Sequence, residues 1–382
     1  MQTIDRTPAA PLIHHRSPTA SSARPSGSSV MRIRQHGMSL VELMVGILVG
    51  LLVVMAATGS LSFFEAQRTT SLSGNAAMNS GMMGGYLLQR DLRNAGVGLL
   101  NAAQLACTRL NLYYNGTTPA NDTAVAPVQI VDGGAGADSI SIFFADSVLG
   151  SAPVALTRGL TSAGENLHVS SASGIQAGDV VLIAGNPATD PCSVAQVSAI
   201  VPGATDVDLT RAASTWNPAS PTGVFTSAPL YSAGGVVMRT GNNITWRNYS
   251  AAGGALSATD LITNTQVQVA TNVVTLQAQY GVTDGISNIV RRWVDATNEW
   301  VAPSADLISR IRAVRFSVVV RSARKEILKD AGGACNTTTT PPSAWSDVAP
   351  LDLSGDPDWK CYRYQVYASI VPLKNVVWSV SQ

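Results

Sequence analysis

A run from Gly37 to Phe64, GMSLVELMVGILVGLLVVMAATGSLSFF, apolar but for one carboxylate and a few small polar residues, constrains this chain more than any other segment, because it commits one helix to lipid. The 22 residues Leu43 to Phe64 carry no charge, and at ~1.5 Å per residue they make about 33 Å of helix, enough for a bilayer core of roughly 30 Å. One carboxylate, Glu42, stands at the near end of the run, five residues after Gly37. A carboxylate in that position is costly in lipid unless a cation pairs with it. Arg32 and Arg34 precede the run, which sets the N-terminus in the cytoplasm. No other stretch reaches the roughly 18 apolar residues of a second crossing, so the expected topology is single-pass.

The sequence Arg32, Arg34, His36, Gly37, followed by Met38, Ser39, Leu40, Val41 and Glu42, resembles the type IV prepilin family. That signature is a short basic leader ending in glycine, an apolar residue to be methylated, and a glutamate five residues after the cut. The resemblance implies cleavage between Gly37 and Met38 by a membrane-embedded prepilin peptidase, then N-methylation of Met38. It also implies that Glu42 pairs with the exposed α-amine of a neighbouring subunit, so that a charge disfavoured in lipid sets register during assembly. The competing reading is an ordinary signal anchor with an unpaired glutamate. Residues 1–30 are rich in Ser, Pro, Ala and Arg, have no apolar period and read as disordered. Met31 is the expected start, giving the leader MRIRQHG, and His14 and His15 read as solvated.

Composition bounds the remainder. About 345 residues follow the expected cut, charged residues are only 13% of the chain, and net charge is +1, which argues against a surface that binds nucleic acid by bulk charge. Cys107, Cys192, Cys335 and Cys361 all lie beyond the membrane segment, as in an oxidising compartment. Four cysteines allow three pairings. Cys335 with Cys361 is favoured because the two bracket a Thr/Pro/Asp-rich loop, which leaves Cys107 with Cys192. A zinc site is disfavoured by the absence of CxxC and of a nearby histidine.

The expected architecture is α+β. A spine helix runs from Ser39 to about Ala95, with a membrane half at 38–64 after the leader 1–37 and an amphipathic continuation at 65–98. An exported, antiparallel β head occupies 99–382, with an inserted β subdomain at about 145–230. Leu72, Ala76, Met83 and Leu87 share one helical face, widened by Leu88, Leu92 and Ala95. Gly74, Gly81, Gly84 and Gly85 weaken the helix, so tertiary packing must hold it, and Gly96 and Gly98 are its stops. Alternation of Ser139 and Ser141 with Ile140 and Ile142 marks a strand, as do 166–170, 179–184, 193–201 and 205–210. Residues 236–238 and 244–248, split by Gly241-Asn242-Asn243, read as a hairpin. GGAGAD at 133–138 lacks the lysine of a phosphate loop and reads as a flexible turn.

In the C-terminal third, strands are expected with Val274, Leu276, Ala278 and Tyr280 on one face, then Val314, Phe316, Val318 and Val320, then Tyr364, Val366, Ala368 and Ile370. A short helix capped by Ser304 precedes the second of these. These blocks, with LQRDLRNAG at 88–96 and Leu373, Lys374 and Asn375 near the end, are similar to PilW-type minor pilins. Catalysis is not expected: there is no GxSxG, and His168 alone of the histidines lies in the body, within a strand pattern. The Asp352, Asp356, Asp358 cluster departs from EF-hand spacing and reads as a solvated turn rather than a calcium loop.

The resemblance thus implies a cofactor-free assembly subunit. It would join other minor and major pilins, the prepilin peptidase, the inner-membrane assembly platform and a tip adhesin, in a complex that primes or caps a type IV pilus. The alternatives are a J-type minor pseudopilin of a type II secretion system, and a membrane-anchored binding protein that never polymerises.

Overall fold

In the computed structural model the described residues are 39–101, 104–146, 152–186, 191–285, 287–326 and 332–376. The leader 1–37 and Met38 lie outside them. The chain divides into two units, Met1–Phe63 and Phe64–Gln382. In the first, the helix that begins at Leu40 exposes every described side chain, and its segment Leu40–Leu61 has a mean hydropathy of 2.6 over 22 residues, long and apolar enough to cross a membrane.

The helix ends at Asn94, where the chain leaves through Gly96, whose φ of 84° suits a left-handed exit. Within the second unit its buried face is Ala77, Gly81, Gly84, Leu88, Leu92 and Ala95, the three- and four-residue spacing of a single stripe. The expected stripe is therefore displaced: Leu72 and Met83 are exposed, and the two glycines take the inward positions. The reason is steric. A Cβ on Gly81 would stand 2.3 Å from the Tyr367 ring, and one on Gly84 would stand 2.9 Å from Leu256. The sheets approach the helix so closely that only glycine fits.

Two antiparallel sheets receive this helix. One has five strands in the order Thr265–Thr271, Ala255–Asp260, Ile244–Ala252, Ser139–Ala145, Val128–Val131. The other has four, Arg292–Val294, Val273–Val282, Ile311–Arg321 and Tyr364–Pro372. Their inward residues, among them Ile140, Ile142, Tyr249, Leu276, Tyr280, Phe316 and Val318, form one core with Leu88 and Leu92. A short helix, Ala305–Arg310, leads into the strand Ile311–Arg321, and the Ser304 side chain accepts from the Leu307 N–H.

A six-stranded sheet follows the order Thr117–Ala124, Arg109–Tyr114, Cys192–Gln196, Val180–Ala184, Val236–Gly241, Val154–Ala155. It contains one parallel pair, Cys192–Gln196 with Arg109–Tyr114. Strands from within 145–230 are thus hydrogen-bonded to strands on both flanks of that stretch. Val180–Ala184 explains how: all five residues are buried, with Val180, Leu182 and Ala184 in one core and Val181 and Ile183 in another. The second of these cores includes Leu156, Leu167, Val169, Leu209 and Tyr231, on the far face of the shared sheet. Leu167–Val169, Val207–Thr210 and Ala199–Pro202 add a three-stranded sheet.

The expected hairpin fails. Val236–Gly241 and Ile244–Ala252 do not form a hairpin; they belong to different sheets, and the Gly241 corner carries the chain from one to the other. The tight hairpin is the next one, Ile244–Ala252 with Ala255–Asp260, turning through Gly253 and Gly254 at φ of 57° and 78°. In the last strand Tyr364, Val366, Ala368 and Ile370 share one face as expected; it is the outward one, with Ile370 59% exposed, while Tyr367 and Val371 turn inward. Both phases of that strand carry large side chains, and the recess over Gly81 selects the one containing Tyr367.

Candidate functional site

The feature that sequence singles out is the start of the helix. Ser39 precedes it, and the Glu42 N–H donates to the Ser39 hydroxyl at 3.2 Å while the Leu43 N–H donates to the Ser39 carbonyl at 3.1 Å. Ser39 is the N-cap and Glu42 occupies the third helical position, the S-x-x-E spacing of a capping box. Glu42 is exposed and lies in the first turn, where the partial positive charge of the helix end favours a carboxylate. Among the described residues no group bonds this carboxylate, which the exposed first turn leaves accessible to an external cation.

The second feature is a buried carboxylate at the other end of the helix, which sequence reasoning passed over although LQRDLRNAG was in view. Asp91 is fully buried. It accepts hydrogen bonds from the Arg247 guanidinium, from the Tyr249 hydroxyl at 2.7 Å, and from Arg90 at 3.0 Å. Burial, and then the Asp91 charge, push the Tyr249 hydroxyl above the usual phenol range. Asn375, in the Leu373-Lys374-Asn375 block, donates to the Ala95 carbonyl at 3.0 Å. One of the unpaired carbonyls at the helix end is thereby satisfied from the end of the head. Helix and strands are locked by one charged network and one amide.

The disulfides join Cys107 to Cys192 and Cys335 to Cys361. The first lies inside the core beneath the six-stranded sheet. The second ties down the segment that carries Trp345 and Asp347. There Arg315 sits between the rings of Trp293 and Trp345, 5.0 and 4.4 Å from their centroids, and pairs with Asp347 at 2.9 Å.

The remaining clusters are held by internal contacts. His168, Asp206 and Asp208 place their ligand atoms within 4.8 Å of one another. The Arg158 guanidinium stands among them, donating to Asp206 at 2.8 Å and lying 3.0 Å from His168 Nδ1, while Asp208 approaches the same nitrogen at 2.5 Å. That geometry makes His168 a bridging member of an ion-pair network on adjacent strands. Of the C-terminal acids, Asp356 pairs with Arg321 and Asp358 with Lys325, while Asp352 accepts from the Ser354 N–H at 2.9 Å. The carboxylates expected in a solvated turn are therefore largely spoken for by cations. In GGAGAD the turn is anchored, because buried Asp138 accepts from the N–H groups of Gly133 at 2.9 Å and Ala278 at 2.7 Å.

Comparison with known families bears on the two ends of the chain. Residues 32–58 match the prokaryotic N-terminal methylation motif, the segment containing Gly37, Met38 and Glu42. Residues 241–375 match the family described as type IV pilus-assembly protein W, from the Gly241 corner to Asn375. Together the two matches support a PilW-type type IV pilin. No curated protein matches the chain at the sequence level. Among solved structures, a type IV-like pilin from Thermus thermophilus aligns with 78% of this chain and 96% of its own, at 9% identity and a TM-score of 0.30, too slight a likeness to bear weight.

Proposed function

We propose that this chain, a PilW-type type IV pilin by its two matches, is a minor pilin that joins other pilins in a complex priming or capping the fibre. The observation that carries the reading is the coincidence, in one chain, of a processing motif laid over an exposed apolar helix and a pilus-assembly match laid over the strands that hold that helix's far end. The N-terminus is cytoplasmic, the head lies outside the inner membrane, and Met38 becomes the methylated first residue. The work is that of assembly rather than catalysis. Glu42 receives a neighbour's α-amine, the apolar helix serves first as anchor and then as packing surface, and the head presents partner surfaces. A head of this bulk fits a tip or a low-copy position better than every layer of a shaft.

Mass spectrometry of the protein from cells with and without prepilin peptidase tests the processing step. A chain beginning at N-methylated Met38 only when the peptidase is present is the expected result. An uncleaved chain in both strains would overturn the reading and leave an anchored protein that does not polymerise. Cross-linking in assembling cells then separates pilins from type II pseudopilins as neighbours.

A further inference from the structure

A cavity of about 290 Å³ opens beside the strand Cys192–Gln196, walled by Tyr113, Trp216, Pro221, Phe225 and Pro229, with Arg211 in its lining. The walls are firmly placed. Trp216 is buried and packs edge-on against Tyr114 with ring centroids 4.9 Å apart, and Pro221 lies so close to Gly164 that a Cβ there would be 2.7 Å from it.

Arg211 is the anomaly of this site. Its guanidinium donates to the Glu165 backbone carbonyl, through Nε at 3.0 Å and again through a terminal nitrogen, and makes no ion pair with any carboxylate among the described residues. The Glu165 carboxylate is engaged elsewhere, accepting from the Thr161 N–H at 2.6 Å and the Thr161 hydroxyl at 2.8 Å. Asn217, which also lines the cavity, is committed to the backbone of Gln196 and Ala212. Desolvation draws the guanidinium down to about 10, outweighing the opposing pull of Tyr231 and Glu165. The guanidinium is half-buried, no carboxylate makes an ion pair with it among the described residues, and the space beside it is open.

We propose that this cavity binds a carboxylate carried on a sugar ring, with Arg211 receiving the carboxylate. A planar guanidinium matches a carboxylate through two parallel hydrogen bonds. The volume is at the low end for ligand sites, the size of a single ring rather than an extended chain. Aromatic and proline walls suit the C–H face of a pyranose. Ser193, bonded to the Tyr231 hydroxyl at 2.6 Å, also lines the cavity. The ligand class is therefore an acidic sugar of the hexuronate type, and the site is independent of whether the chain polymerises.

The test is a calorimetric titration of the full chain in detergent micelles with glucuronate, and in parallel with glucose, acetate and inorganic phosphate. Saturable glucuronate binding is expected, about tenfold or more tighter than for each of the other three. Arg211→Gln and Ala213→Phe should each weaken it at least about tenfold. Ala213→Phe obstructs the cavity and leaves Arg211 in place, so it decides the matter if Arg211→Gln fails to fold. Absence of saturable glucuronate binding at millimolar concentrations would overturn the proposal. So would acetate or phosphate binding as tightly as glucuronate, which would mark a plain anion site, or undiminished binding by folded Ala213→Phe.

Discussion

Glu42 combines a helix-start position with a charge, and removing the charge alone separates the two. As the third helical residue after Ser39 it has the spacing of a capping box, and as a carboxylate it is the expected partner of a neighbouring α-amine. Glutamine serves a capping box as well as glutamate does but carries no charge. Glu42→Gln should therefore leave the helix start intact and abolish incorporation into pili, whereas Ser39→Ala, costing about 1 kcal/mol of cap energy, should leave incorporation largely unaffected. Immunoblots of sheared pili against whole cells read both. Incorporation of Glu42→Gln at wild-type levels would show that the charge is not the assembly signal. Asp138 offers a second residue-scale test. Burial, opposed by its bonds from Gly133 and Ala278, raises its carboxyl from 3.8 to about 6. Because the folded state then holds the proton more tightly than the unfolded state, the stabilisation is complete below pH ~4 and is lost as pH rises through about 6. The change is on the order of 2 kcal/mol. Melting temperatures of wild type and Asp138→Asn should diverge in the variant's favour between those limits, and a constant offset across them would refute the assignment.

At the scale of elements, the contact between helix and sheets rests on glycine. Alanine is the better helix former by about 1 kcal/mol, so on propensity alone Gly81→Ala would stabilise. The Tyr367 ring 2.3 Å from the added Cβ reverses that sign, since overpacking costs about 1–3 kcal/mol. Gly81→Ala should thus destabilise the wild type by about 1 kcal/mol and become neutral or stabilising beside Tyr367→Ala. A double-mutant cycle by urea unfolding measures the coupling, and additive effects would mean that the seam is looser than described. This seam also shows where sequence stops being legible. The element types could be read because they depend on local periodicity: the long helix, the Ser304 cap, the alternation at 139–142 and the run from Val314 to Val320 all stand in the structure. The helix face was misread at Leu72, and the direction of the Tyr364–Ile370 face could not be read, because apolar residues occupy both sides and close approach to Gly81 and Gly84 decides which side turns inward. Of the candidate site, Glu42 was legible from its spacing. Asp91 was not, because an aspartate amid arginines looks like a solvated face until Arg247 and Tyr249, far along the chain, are brought to it.

For the molecule as a whole, the second unit must fold without using the surface that assembly requires. Ala77, Gly81, Gly84, Leu88 and Leu92 belong to the core side of the helix, and at about 100° per residue the opposite side is Leu72, Met83 and Tyr86. These three are 58%, 54% and 62% exposed, an apolar face that the head itself leaves uncovered. A face of this kind on a helix marks an interaction surface more often than an accident of composition. The head is held by other means: the Asp91 network, the core around Tyr280 and Phe316, and two disulfides, the Cys335–Cys361 loop alone contributing roughly 3–4 kcal/mol by chain entropy. Folding and assembly should therefore be separable by mutation on opposite sides of one helix. Met83→Glu should change stability by no more than about 0.5 kcal/mol, as an exposed substitution does, and should remove the subunit from pili. Asp91→Ala should do the reverse in origin, costing on the order of 3–5 kcal/mol by stranding Arg247 and depleting the folded protein before assembly begins. Thermal melts in detergent paired with sheared-pilus fractions distinguish the two. If Met83→Glu assembles normally, that face is not a contact between subunits, and the packing surface must lie within the apolar segment Leu40–Leu61.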